Sequence, residues 1–343
     1  AVGDGDPLEE YDFSGTREPA AYVMQSRMEV HRHGLWTVQR HVLLDPFEGH
    51  YWALTSNTFE RICVYYGTRP MWSSERQHNQ RLPSSAPKGV PVRGHFQRVV
   101  DTTDAFEIPK EERPLVPIVD LTGGDGITLH LSSWNGAANG GSAAQIVRLS
   151  GTTPATAKVD VIWSGAYETL IDLDKDGVPE IADTDFSHSY ASYLAWKGVW
   201  NSVVLRWSRD AGRYVLADGA LHDAYRRAQA RKHERPELEP VEWVKRLGTS
   251  LREASRAVAT NPKEHFRTHV PLELAGSLWQ LFAMGLVDEA RTLMAEVPLD
   301  NFAPEDDESM TRAEWWGHFL TACRKSQHWE ALCRHHPALR ELK

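Results

Sequence analysis

The hydrophobic period changes once along this chain, near Ala220, and that change limits the fold more than any other feature of the sequence. Before it, apolar residues come in short runs rich in β-branched and aromatic side chains. Examples are Leu35–Val38, His41–Leu44, Ile62–Tyr66, Leu115–Val119, Ile127–Leu131, Gln145–Leu149 and Val159–Trp163. Gly, Pro, Asn and Asp separate them, which is the punctuation of strands and turns. Val203–Ser208 and Arg213–Leu216 flank Arg209, Asp210, Ala211 and Gly212, a hairpin signal. After Ala220 the chain is rich in Ala, Arg, Glu and Leu at helical spacing. Pro236, Pro240, Pro262, Pro271, Pro298, Pro304 and Pro337 divide it. Thr311 and Glu314, three apart before Trp315 and Trp316, form a capping-box signature.

Strands first and helices after predict an α+β chain. We expect an extended polar arm over 1–20 and a β-rich domain over 21–218. An α-helical bundle is expected over 219–343. The β part is expected to be an antiparallel β-sandwich or propeller-like. Residues 73–94, rich in Ser, Arg, Gln, Asn and Pro, read as a long loop of the kind that often carries an interaction surface.

Charge and hydropathy exclude some function classes. The formal net charge of −9 over 343 residues supplies no positive field for nucleic acid or anionic lipid. No run of 18 apolar residues occurs, so no transmembrane helix is expected. The sequence begins Ala1, Val2, Gly3, Asp4 and is polar from the start, as expected of a mature product after cleavage of an export signal.

The strongest chemical signal is Asp172, Asp174, Asp176, Gly177 and Glu180. The three alternating carboxylates converge when the backbone curls, and Gly177 provides the positive φ that lets it curl. The Val178 carbonyl falls at the seventh ligand position, Glu180 at the ninth and Asp183 at the twelfth. A hard cation takes six to eight oxygens, so Ca2+ is the expected occupant. Mg2+ rarely sheds enough water for such a cage. Without a cation these carboxylates repel one another. The plain alternative is a solvated acidic turn.

Tyr167–Ile171 before the loop and Glu180–Ala182 after it read as strands, and Pro179 opposes a helix start. Strand–loop–strand resembles the FG-GAP/VCBS repeats of integrin-like proteins, in which a D-x-D-x-D-G-x-x-D/E loop between two strands holds calcium. The resemblance covers 112–218 and implies calcium binding and export. It implies no reaction, because function belongs to sites and not to folds. Asp120, Thr122, Asp125 and Gly126 form a weaker echo without the ninth-position acid, for which a glycine-rich hairpin turn is the plainer reading.

Other candidates are weaker. His31 and His33 would share a strand face, with His41 and His50 nearby, but no cysteine or carboxylate stands at ligand spacing. Cys63 reads as a buried small hydrophobe. Cys323 and Cys333 would lie about 15 Å apart in one straight helix. A turn near Ser326 would allow a disulfide; otherwise they are separate buried thiols. Trp134, Trp196 and Trp200 could line a sugar platform, although Trp more often packs in a core. Leu274–Gly285 and Asp288–Leu293 resemble part of a tetratricopeptide repeat, with small Ala275 and Ala290 for close helix packing. No nucleophile elbow or phosphate loop is present. The resulting expectation is an exported, non-enzymatic, calcium-binding accessory or scaffold protein that docks onto a partner protein or cell-surface assembly. The alternatives are a carbohydrate-binding module and a hydrolase with a site at the domain junction.

Overall fold

The computed structural model describes residues 25–44, 58–74, 77–78, 92–101, 116–119, 121–134, 142–165, 167–185, 201–260, 269–298 and 311–342. The arm expected over 1–20, most of the 73–94 loop, Asp120, His50, Trp196 and Trp200 lie outside these residues, as does the side chain of Trp134. The chain is α+β, with antiparallel sheets followed by helices. Among the described residues no sheet closes on itself. It divides into two compact units, 1–81 with 97–114 and 134–140, and 82–96 with 115–133 and 141–343.

The first unit contains a meander of β1 (Gln25–His33), β2 (Trp36–Leu44), β3 (Thr58–Tyr66) and β4 (Arg69–Ser73), with β5 (Gln77–His78) on β3. Gly34 (φ +57°) and Gly67 (φ +59°) supply the left-handed residues of its two tight turns. Alternation then sorts side chains by face. Trp36 and Val38, and Ile62, Val64 and Tyr66, are buried. Trp36 and Tyr66 are register partners and meet edge to face with centroids 4.9 Å apart. Leu35, expected in a strand, sits in the turn and is exposed. Cys63, expected in the core, has the opposite parity to Ile62 and Val64 and is only half-buried.

The second unit holds two sheets and all the described helices. One sheet runs in the order β6 (Val92–Asp101), β7 (Val116–Val119), β8 (Ile127–Trp134), β9 (Ser142–Ser150), β10 (Lys158–Gly165); only residues 92–96 of β6 belong to this unit. The other is a four-stranded meander of β11 (Tyr167–Ile171), β12 (Glu180–Asp185), β13 (Asn201–Ser208) and β14 (Arg213–Leu216). The β13–β14 hairpin closes at the expected turn, with Ser208 opposite Arg213.

Among the described residues six α-helices follow: α1 (Gly219–Lys232), α2 (Pro240–Thr260), α3 (His269–Met284), α4 (Val287–Glu296), α5 (Arg312–Lys325) and α6 (Trp329–His335). A 3-10 turn, Pro337–Glu341, comes last. Local signals set their ends. Asp218 caps α1 by accepting the Leu221 N–H at 3.1 Å. Pro240 and Pro271 fall in first turns, where a missing N–H costs nothing. After α3, Gly285 (φ +79°) forms a Schellman end, with Gly285 N–H on the Phe282 carbonyl (3.1 Å) and Leu286 N–H on that of Leu281 (2.8 Å). The Thr311–Glu314 capping box forms at the start of α5. Ala275 and Ala290 are fully buried, so α3 and α4 pack closely.

One apolar cluster runs through both parts of this unit. Ile181, Val203, Leu205 and Leu216 of the second sheet pack with Leu278, Trp279, Phe282 and Phe319 of the helices. The change of period near Ala220 is therefore a change of secondary structure within one core. Cys323 and Cys333 form no disulfide and are separate, buried thiols on α5 and α6. No helix among the described residues is long and apolar enough to cross a membrane.

Candidate metal centre

Residues 172–179 join β11 to β12, whose register runs from Ile171 opposite Glu180 to Tyr167 opposite Thr184. The loop is curled by its own side chains. Asp172 Oδ2 accepts the Gly177 N–H (3.1 Å), Asp174 Oδ1 that of Asp176 (3.2 Å) and Asp176 Oδ1 that of Val178 (2.7 Å). The last two are Asx turns, which short carboxylates offer the backbone in place of strand pairing. Two residues take the left-handed conformation, Lys175 (φ +63°) and Gly177 (φ +86°).

The result brings Asp172, Asp174 and Asp176 together, each with a carboxylate oxygen within 4.8 Å of the others. It is the one such group of three or more His, Cys, Asp or Glu among the described residues. Asp174 and Asp176 are exposed and Asp172 is half-buried. Asp172 Oδ1 is shielded from solvent and has no hydrogen-bond partner. A carboxylate with one shielded, unsatisfied oxygen, gathered with two further carboxylates, is an unfavourable arrangement that a cation would relieve, so the donor set fits a hard divalent ion.

Glu180 is buried, and its Oε2 accepts the Leu173 N–H at 2.8 Å, closing the loop across its mouth. Burial pushes its carboxyl up to about 7 against the Leu173 hydrogen bond, and the charges of Asp174 and Asp176 push the same way. A cation at the three aspartates would reverse that field. Val178 is half-buried beside Gly123, whose Cβ position lies 2.8 Å from Val178 Cγ2. Asp183 lies on β12 between Glu168 and Val203, almost fully buried. Its Oδ2 meets His328 Nε2 at 3.1 Å and Gln327 Nε2 at 3.4 Å, so its side chain is engaged with the start of α6.

The weaker upstream echo packs directly against this loop. Tyr214 donates its hydroxyl proton towards the carbonyls of Leu121 (2.6 Å) and Pro179 (3.3 Å), tying the two loops together. Asp125 accepts from Arg209 Nε (2.8 Å) and Trp207 Nε1 (3.1 Å), and the Arg209 hydrogen bond holds its carboxyl below the ordinary range. Asp125 thus anchors the β13–β14 turn. Neither Tyr214 nor the Asp183–His328 pair has a sequence signature. Their partners are 35 to 145 residues away in the chain.

Of the remaining candidates, His50, Trp196, Trp200 and the side chain of Trp134 lie outside the described residues. His31 is buried in β1 and belongs to no metal-ligating group among the described residues. Trp36, Trp163, Trp279, Trp315 and Trp329 are core residues, and no Trp whose side chain is described is exposed. No family model, no curated protein and no solved structure matches this chain.

Proposed function

We propose that residues 172–180 bind Ca2+ and that the ion staples β11 to β12 in an exported, non-enzymatic scaffold or accessory protein that docks onto a partner protein. The observations that carry the metal site are the convergence of three carboxylates and the shielded Asp172 Oδ1 that no hydrogen bond satisfies. The loop joins two antiparallel strands of a four-stranded meander, which supports an FG-GAP-like reading, since propeller blades are four-stranded sheets. Millimolar calcium outside the cell suits a site built from exposed carboxylates, which supports export. A cation held by one short loop between two strands fixes those strands together. That favours a structural role, and with it the docking function, over an open catalytic metal.

Thermal melts of the full chain in chelator, in calcium and in magnesium test the site. Binding confined to the folded state stabilises it by about 2.7 kcal/mol at a hundredfold excess over Kd. Calcium should raise the midpoint and magnesium should do so less. Asp174→Ala, at an exposed position, should remove most of the response. If metal analysis shows no bound calcium and the melts coincide, the loop is an acidic turn. If Asp174→Ala abolishes a chemical activity at unchanged stability, the scaffold role is wrong.

A further inference from the structure

Within the second unit, α1 and α2 each pack on α3, and the three line an open cavity of about 560 Å3 together with the link between α1 and α2. The lining residues fall within 226–233, 243–250 and 273–280, at i, i+3, i+4 and i+7 on each helix, which is one face of each. Helix faces turned towards other helices are ordinarily apolar, yet these are mostly polar. Arg226 is the anchored charge, 6% exposed. Its Nε and Nη2 donate to Asp223 Oδ1, Nη2 also reaches the Leu238 carbonyl at 2.6 Å, and the group lies over the Trp243 ring at 4.9 Å. Its Nη1 has no partner among the described residues and is not sealed from solvent. Arg235 and Arg246, both exposed, make no ion pair or side-chain hydrogen bond among the described residues. Glu273 is the one carboxylate of the lining among these residues, and the half-buried Gln280 amide is also unpaired.

This lining selects an anion of a particular kind. The chain as a whole carries −9 and repels anions, so attraction has to be local. Three guanidinium groups against one carboxylate provide it. Arg226 is held in place by its other bonds, so little side-chain freedom remains to be lost when a ligand arrives. Guanidinium donors match carboxylate and phosphate alike. Three of them suit the three terminal oxygens of a phosphate monoester better than the two of a carboxylate. Glu273 disfavours a ligand that is anionic throughout. With Gln280 it suits hydroxyl groups instead, to which the two offer acceptors and donors. The volume is within the ordinary range of small-molecule sites.

We propose that this groove binds a phosphate monoester of a sugar or short polyol, with the phosphate at Arg226, Arg235 and Arg246 and the hydroxyls at Glu273 and Gln280. It shares no residue with the calcium loop and does not rest on that reading. The test is calorimetric titration of the full chain in phosphate-free buffer of low ionic strength at about pH 8, where a monoester is a dianion. The probes are D-glucose 6-phosphate and glycerol 3-phosphate. The controls are D-glucose, which lacks the phosphate, D-gluconate, which carries a carboxylate instead, and inorganic phosphate, which lacks the hydroxylated body. At least one ester should bind saturably, about tenfold or more tighter than every control. One such step corresponds to about 1.4 kcal/mol. The Arg235→Gln/Arg246→Gln double variant should weaken it by about tenfold or more with an unchanged melting curve, because both side chains are exposed and unpaired. Absence of saturable binding by both esters overturns the proposal. So does equal binding by any control, or binding that the double variant leaves intact.

Discussion

Replacing His222 should change how the stability of this protein depends on pH, and the structure fixes both sign and size. His222 lies on α1 and is 5% exposed. Its Nδ1 faces the Asp218 carbonyl at 2.8 Å, so that nitrogen carries the proton. Its Nε2 accepts the Val204 N–H at 3.0 Å, so that nitrogen must be bare. Protonating Nε2 would set two donors against each other inside the core. Burial drives the imidazole from its ordinary 6.5 down to about 4; the Asp218 carbonyl opposes this and the His336 ring reinforces it. Between these values the unfolded chain takes up a proton that the folded chain refuses. The contribution is therefore complete above about pH 6.5 and is lost as pH falls towards about 4. At about 1.4 kcal/mol per tenfold change in proton affinity, the loss is about 3 kcal/mol. Glu180, raised to about 7, works in the opposite direction over the same range, so the wild-type curve alone mixes two terms. Comparing variants isolates the histidine. His222→Leu leaves the Val204 N–H without an acceptor and should cost about 1–3 kcal/mol at neutral pH. That deficit should shrink and then reverse as pH falls, because the variant has no imidazole to charge. His222→Gln, which can still accept a hydrogen bond, should recover part of the neutral-pH loss while lacking the acid sensitivity. Urea denaturation followed by tryptophan fluorescence across about pH 7 to 4 measures all three. Curves for wild type and His222→Leu that stay parallel at every pH would refute the assigned tautomer and the argument built on it.

Four further outcomes follow from the same contacts. Tyr214→Phe removes the donor that bridges the Leu121 and Pro179 carbonyls; denaturation should show a loss of about 1–2 kcal/mol, and calcium titration a weaker site. Gly285→Ala meets both an unfavourable φ of +79° and a Cβ position 2.6 Å from His336 Cε1. Its cost should exceed the roughly 1 kcal/mol expected of the backbone change alone. Thr311→Ala should lower stability by about 1 kcal/mol, read by the same denaturation, because the hydroxyl that accepts the Glu314 N–H is lost while the Thr311 N–H still donates to Glu314. Phe282→Ala, at a fully buried ring that meets Trp316, Phe319 and Trp329, should cost about 3–5 kcal/mol and show as a lower urea midpoint.

The sequence by itself determined whatever depends on neighbours in the chain. The period switch near Ala220 placed the first helix, because facing one core demands spacing near two residues in a strand and near 3.6 in a helix. Asp172, Asp174, Asp176 and Gly177 marked a curled acidic loop because Asx turns and a left-handed glycine are local geometry. Gly285 and the Thr311–Glu314 pair marked helix ends for the same reason. Tertiary structure decided the rest. Cys63 lost its expected place in the core to strand parity. Asp183, twelfth from the start of the acidic loop, turns to His328. Asp125 turns to Arg209 and Trp207. Tyr214 finds two carbonyls far apart in sequence. A buried polar group must find a partner wherever the fold brings one, and local sequence carries no record of a neighbour tens of residues away or more.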